Sequence, residues 1–448
     1  MEGAARNDPR RTAGTEGGKD RMTTRTTAAC AALLTLGLGT AQAQEESFRL
    51  GIVTFLSGQA ADSFGVPARQ AADLLIEKFN AGEAPAPYDT PGFGGLTIEP
   101  VIIDEAGGAT VQVREFRNLV QREGVDAVVG YISSGDCLAI APVADEIQAL
   151  TILFDCGTPR IFEDGSYEYV FRTAAHATMD NVALARYLTE RGVEVSTYAG
   201  INQDYAWGQD SWRDFTAAMG QLQPDAEIVA ELFPAFGAGQ YGTEVSALMR
   251  ARPDVVHSSN WGGDLQSLIL QARPRGLFDQ TQVVLTAADH VLPALGENMP
   301  EGVVIGARGA YGLMAPESEL NDWWFSTYEE EYGVFPVQSA YRVAQALLGL
   351  KTAIEAAQAE PGAKPSTEEI AEAMRGSEWE SPGGTIQMTL GDGHQAIQPI
   401  ALGRTARGED GSIVLEDIQR FEATCVNPPA DLTSSEWIAQ GFPGNTCE

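Results

Sequence analysis

A handful of short turns carry the residue types from which a small-molecule site is made. Ser133-Ser134-Gly135 and Asp155-Cys156-Gly157-Thr158-Pro159 each follow an apolar run, and each sets hydroxyls beside free backbone N–H groups. That donor set suits a carboxylate, because the first amides of a helix have no partner within it and its dipole favours an anion. Leu56-Ser57-Gly58, with Phe64-Gly65 just beyond, is a similar turn. Asp204-Tyr205-Ala206-Trp207-Gly208 and Asn260-Trp261-Gly262-Gly263 place aromatic rings next to glycines, which suits flat walls for a ligand. Ala288-Asp289-His290 offers a carboxylate that can pair with an ammonium group. Each turn also has a plain structural use. Ser, Thr and Asp cap helices whether or not a ligand is present, and Tyr205, Trp207 and Trp261 serve equally as half-buried rim aromatics. Taken alone, the turns leave both accounts standing.

Signatures of catalysis are missing. The chain has no G-x-S-x-G, H-E-x-x-H or Walker-type loop, and no G-x-G-x-x-G after a strand,. Gly391-Asp392-Gly393-His394 reads as a turn with a structural histidine. Paired carboxylates carry no weight in a chain with 62 Asp and Glu. The four His are scattered and no C-x-x-C pair occurs, so no metal site and no cofactor is expected,. The expected class is a binding protein, not an enzyme.

Composition narrows the partners. The 448 residues carry 29 Lys and Arg, for a net charge of −33, with 44% hydrophobic residues. This is globular composition, and without a basic cluster it excludes a phosphate-backbone partner such as nucleic acid. Near the start, Arg21 and Arg25 precede an apolar run, Ala28 to Leu38, which ends in Ala41-Gln42-Ala43. Positive start, short apolar centre and A-x-A site form a bacterial secretory signal, and the run is too short to span a bilayer of about 30 Å. Residues 1–43 are therefore expected to be a signal peptide with an upstream extension, Met22 being an attractive true start. Cleavage after Ala43 would leave a soluble periplasmic protein.

Beyond Cys30 four cysteines remain: Cys137, Cys156, Cys425 and Cys447. An even number in an oxidising compartment points to two disulfides. Three connectivities are open; proximity favours Cys137–Cys156 and Cys425–Cys447. Each would close a loop of about 20 residues and contribute about 3 kcal/mol by restricting the unfolded chain.

Hydrophobic periodicity supplies the frame that holds these turns. Phe48 to Phe55, Leu96 to Ile103, Asp126 to Ile132 and Leu150 to Phe154 read as strands. Gly65 to Asn80, Thr110 to Arg122 and Leu138 to Gln148 read as the intervening helices,. The alternation restarts with strands at Val195 to Ile201, Glu227 to Phe233, Val255 to Ser259, Val283 to Leu285 and Val303 to Ala307. Long helices follow near Ser318 to Tyr332 and Val337 to Gln358. Repeated βαβ units imply α/β architecture, with two doubly wound, Rossmann-like parallel sheets wrapped by helices. Ligands of such sheets bind beyond the carboxyl ends of the strands, where the singled-out turns lie.

In order and spacing, these segments resemble the periplasmic substrate-binding proteins of ABC importers, in the branched-chain amino acid (Leu/Ile/Val) group. The marks are Leu50-Gly51-Ile52-Val53 leading to Leu56-Ser57-Gly58, Ile103-Asp104, and Val129-Gly130-Tyr131-Ile132-Ser133-Ser134. The Asp204 to Gly208 turn and Tyr332-Gly333-Val334-Phe335-Pro336 complete them. The resemblance covers residues 46 to about 420. It implies a type I periplasmic binding fold, two lobes joined by three crossovers that close on a ligand by hinge motion. The crossovers are expected near Arg172–Ala174, Gly306–Gly309 and Gly376–Pro382. The first lobe would then take 44–173 and 308–378 and the second 174–307 and 379–420, with a disulfide-bonded tail at 421–448. Carried over by position, Ser133, Ser134, Gly157 and Thr158, with Cys156 nearby, would hold a ligand carboxylate. Phe64, Tyr205, Trp207 and Trp261 would wall the pocket, and Asp289 would pair with an ammonium. The chain departs from leucine-binding relatives at Phe64, Trp207 and Trp261, where those usually carry Tyr, and at Asp289, where Glu is common. The implied protein is a monomeric, exported solute-binding component that delivers an amino acid or related small carboxylate to ABC permease subunits. A ligand sensor on the same fold, or a binder of aromatic acids, amides or urea, is the alternative.

Overall fold

The computed structural model describes residues 47–447, so the expected signal segment lies outside the described residues. In chain order the first elements are β1 (Ser47–Thr54), α1 (Val66–Ala81), β2 (Thr97–Asp104), α2 (Ala109–Gln121), β3 (Ala127–Gly130), α3 (Ser134–Glu146), β4 (Thr151–Leu153), α4 (Arg160–Glu163) and β5 (Val170–Arg172). The second series is α5 (Ala177–Glu190), β6 (Thr197–Ile201), α6 (Ala206–Leu222), β7 (Glu227–Leu232), α7 (Gly242–Ala251), β8 (Val255–Ser258), α8 (Gly262–Ala272), α9 (Leu277–Gln280), β9 (Gln282–Leu285), α10 (Leu292–Leu295) and β10 (Val304–Gly306). Then come α11 (Glu319–Tyr332), α12 (Gln338–Ala357), α13 (Thr367–Met374), β11 (Glu378–Ser381), β12 (Gly384–Leu390), β13 (Gln395–Ile397), β14 (Ile400–Arg407), β15 (Ile413–Phe421), α14 (Ala423–Val426) and α15 (Ser434–Ala439).

The strands form two sheets. The first has eight strands in the order β11-β12-β13-β5-β4-β3-β1-β2, and the second seven in the order β15-β14-β10-β9-β8-β6-β7. Within each, the βα-connected strands run parallel. In β1, residues 50–54 are all buried, as expected where helices cover both faces of a parallel sheet. Helix α1 starts with Pro67 in its first turn and ends at Gly82, whose left-handed backbone (φ 67°) lets its N–H donate to the carbonyls of Lys78 and Phe79,. Helix α12 is buried almost all round, from Gln338 to Ile354. It packs into the core of the first lobe beside α1 and α11.

The chain passes between sheets three times: after β5, after β10, and at Gln398-Pro399 between β13 and β14. The last differs from the expected position near Gly376–Pro382. Residues 379–397 were expected in the second lobe, but β11, β12 and β13 form an antiparallel run whose Gln395 pairs with Arg172 of β5 in the first sheet. A hairpin built of short, Gly-flanked strands bears no local mark of which sheet edge it will join. Both expected disulfides are present, Cys137–Cys156 and Cys425–Cys447. The first ties the opening turn of α3 to the turn after β4. Among the described residues, no helix is long and apolar enough to cross a membrane.

Candidate functional site

The carboxyl ends of the parallel strands in both sheets face one another across a cleft, and the turns there meet around a small cavity. The first lobe supplies Phe64 from the turn before α1, Ile132 and Ser134 after β3, Asp155 and Gly157 after β4, and Gln338 at the start of α12. The second lobe supplies Tyr205 and Trp207 after β6, Trp261 after β8 and Ala287 after β9, while Arg308 enters from the second crossover. The gap left among them is ≈ 10 Å³, about the room of one water. The lobes are therefore closed on each other. Gly157 shows how tightly: a Cβ on it would lie 2.3 Å from the Trp207 ring and 2.4 Å from Arg308 Nη2. Only glycine permits this contact between lobes.

The polar floor is built of interlocked turns. Ser133 caps α3, its Oγ accepting from the Asp136 N–H at 3.4 Å. Ser134 Oγ accepts from the Gly157 and Thr158 N–H groups at 3.1 and 3.2 Å, leaving its own proton to donate. Behind them Glu105 is fully buried and accepts from the Ile132 N–H at 2.9 Å and the Ser133 N–H at 2.7 Å. Burial first, and then the neighbouring Asp136, hold its carboxyl well above the usual range. Burial also pushes Asp136 to about 6.

At the centre is a buried charge network. Arg308 donates to Asp155 Oδ1 at 2.5 Å, to Asp180 Oδ2 at 3.0 Å and to the Ala175 carbonyl at 3.0 Å. Its guanidinium lies 4.1 Å from the centroid of the Trp207 ring, a cation–π geometry. Arg342 donates to the same Asp155 Oδ1 at 2.6 Å. Asp155 Oδ2 is buried and has no partner, although a buried polar atom is nearly always hydrogen-bonded.

The opposite wall is aromatic. Trp207 is fixed by its Nε1–H donating to the Ser259 carbonyl at 2.8 Å, and Trp261 by its Nε1–H donating to Tyr205 Oη at 2.7 Å. Phe64 meets Trp261 edge-on at 5.3 Å, and Phe236 stacks on the same ring at 5.4 Å. Tyr205 keeps its hydroxyl proton free to donate.

A family model described as periplasmic binding protein matches residues 47–411. The chain belongs to the periplasmic binding protein family. Among curated relatives of this periplasmic binding protein, the leucine-, isoleucine-, valine-, threonine- and alanine-binding protein of Pseudomonas aeruginosa is 22% identical over 358 residues, 80% of this chain and 89% of that one. The Leu/Ile/Val-binding protein of Escherichia coli is 21% identical over 304 residues, covering 67% and 78%. Of solved structures, an ABC-transporter solute-binding protein from Rhodopseudomonas palustris in complex with 3,4-dihydroxybenzoic acid superposes with a TM-score of 0.72. It is 22% identical, covering 84% of this chain and 98% of that one. A leucine-binding protein from Thermotoga maritima gives 0.67 at 19% identity, covering 83% and 98%.

Of the residues expected in the site of this periplasmic binding protein, Phe64, Ser134, Gly157, Tyr205, Trp207 and Trp261 line the cavity. Ser133, Cys156, Thr158 and Asp289 stand behind it. Cys156 is bridged to Cys137, and its carbonyl accepts from Arg172 at 2.9 Å. Thr158 Oγ1 donates across the cleft to Asp210 Oδ2 at 2.6 Å. Asp289 accepts from the Gln338 backbone N–H at 2.6 Å, and burial pushes its carboxyl up to about 7. Sequence reading missed Arg308, Asp155, Gln338, Ile132 and Ala287 as cavity residues. Asp155 lay within a turn already singled out. Arg308 had one signal, a lone arginine between Ala307 and Gly309 at an expected crossover.

Proposed function

We propose that this protein is the exported solute-binding component of an ABC importer, closing its two lobes on a small amino acid or related carboxylate and presenting the closed form to membrane permease subunits. The observation that carries the ligand class is the unpartnered Oδ2 of Asp155, a residue that lines the same aromatic-walled cleft as Ser134. A buried carboxylate oxygen without a donor favours a ligand that brings one, and an ammonium group is such a donor, although Arg308 and Arg342 already offset the Asp155 charge,. The ligand carboxylate would take the Ser134 hydroxyl and, once that side chain rotates, the Gly157 and Thr158 amides it now engages. Phe64, Tyr205, Trp207 and Trp261 would hold the ligand body, while Ser133 and Cys156 support the floor. The ammonium role expected of Asp289 passes to Asp155 in this reading, because Asp289 already accepts from Gln338.

A second reading, an aromatic acid, is favoured by the four rings around the cavity. A thermal-shift screen of the protein freed of ligand, against amino acids, aromatic acids, amides and urea, separates the two. A ligand at 100 times its Kd stabilises the fold by about 2.7 kcal/mol. An amino-acid hit abolished by Asp155→Asn supports the first reading; an aromatic-acid hit that Asp155→Asn leaves intact replaces it with the second. No hit in any class counts against solute capture and favours the sensor.

A further inference from the structure

The segment after β15 lies beyond the family match, which ends at residue 411. It is anchored to the second lobe. Phe421, Val426, Trp437, Ile438 and Phe442 are buried in that lobe's core with residues of α5 and α6, and Arg186 lies 4.8 Å from the Phe442 ring centroid. The Cys425–Cys447 bridge closes the segment on itself. From this anchor it reaches the other lobe: Ser434 donates to Glu163 Oε1 of α4 through its backbone N–H at 2.9 Å and through its hydroxyl. Nearby, Pro428, Ala430 and Leu432 stand off Phe162, Gly391 and Gln395 across a cavity of ≈ 260 Å³.

We propose that the C-terminal segment is a latch across the hinge, which biases the two lobes toward closure. Helix α4 follows the Gly157-Thr158 turn directly in the chain, so it moves with the floor of the cleft. In the closed arrangement the second lobe holds it twice. Arg160 pairs with Asp210 of α6 at 2.9 Å, and Ser434 holds Glu163. Any opening that lifts Gly157 from Trp207 carries α4 away from α6 and from α15. Hydrogen bonds to a carboxylate are among the stronger ones, and contacts made in only one of two states shift the population toward it. Ser434 and Glu163 are therefore positioning residues: they touch no ligand and act on affinity through closure.

This inference uses the two-lobe closure of the proposed function but not its ligand, so small-angle scattering without ligand tests it independently. Ser434→Ala and Glu163→Ala should each raise the radius of gyration of the ligand-free protein. Each should also weaken the affinity for any ligand the screen finds by about 5-fold, and the double variant should be no weaker than the stronger single. Ser435→Ala, at an exposed neighbour, should match the parent. Unchanged scattering in both variants, or an equal effect from Ser435→Ala, would overturn the latch. Circular dichroism confirms that each variant is folded. If no ligand is found, the scattering comparison still decides.

Discussion

The two faces of the cleft are built on opposite principles. The first-lobe face is polar: Ser134 engages Gly157 and Thr158, Glu105 engages Ile132 and Ser133, and a buried disulfide joins the two turns. Nearly every donor there already has a partner, so the face is held in one geometry. The second-lobe face is mostly rings, Tyr205, Trp207, Trp261 and Phe236, each held by one hydrogen bond or by stacking. Ring contacts depend less sharply on direction than hydrogen bonds do. A fixed polar face suits orientation, and a face of rings suits breadth of fit. Arg308 joins the two, with Asp155 on one side and Trp207 on the other.

The largest expected effect breaks that junction. Arg308→Ala leaves Asp180 without its cation and strips Trp207 of its stacked guanidinium. Breaking a buried pair this way costs about 3–5 kcal/mol, and urea unfolding should show it. A loss below about 1 kcal/mol would mean Arg342 alone neutralises the network. Next, the two faces can be weighed against each other by ligand titration. Trp207→Ala should weaken binding by about 2 kcal/mol or more, as buried aromatic anchors do. Ser134→Ala should cost about 1–1.5 kcal/mol, the net worth of a hydrogen bond. The comparison sharpens further if Trp207→Ala loses affinity evenly across ligands while Ser134→Ala loses it only for acids. The reverse pattern would exchange the roles of the faces.

The smallest expected effect is a pH slope. Burial raises Asp289 from 3.8 to about 7. Between those values the folded protein keeps a proton that the unfolded chain has released, so stability falls as pH rises across the window. Asp136, Asp180 and Asp214, each raised to about 6 mainly by burial, act with the same sign. Melting temperature should thus decline from pH 5 to pH 7.5, less steeply in Asp289→Asn. Parallel slopes in parent and variant would show that Asp289 is ionised in the fold.

Much of this architecture was legible from local pattern. The long helices α11 and α12 and the strands of both parallel runs except β5 announce themselves by periodicity, and the turns that meet in the cleft are those that follow them. Helix α13 was missed, although Ser366 and Glu369 form a capping box ahead of Ile370,. An eight-residue helix with only Ile370, Ala371 and Met374 buried gives a weak periodic signal. The hairpin β11–β12 was assigned to the wrong lobe because its pairing is decided by which sheet edge is free. The setting of Asp289 was hidden for a related reason: it accepts from Gln338, far along the chain.

By itself, then, the amino-acid sequence determined the α/β class and the aromatic and hydroxyl turns that meet at the cleft, and it favoured without fixing the pairing of Cys137 with Cys156. These follow from periodicity and turn chemistry, which act over a few residues. Tertiary structure alone decided which of those residues line the cavity, Asp155 among them and Asp289 behind it, and that Arg308 holds the centre. Those outcomes depend on partners far along the chain, 23 residues for Ser134 and Gly157 and 153 for Asp155 and Arg308. Contacts of that range exist only once the sheets that carry their turns have folded.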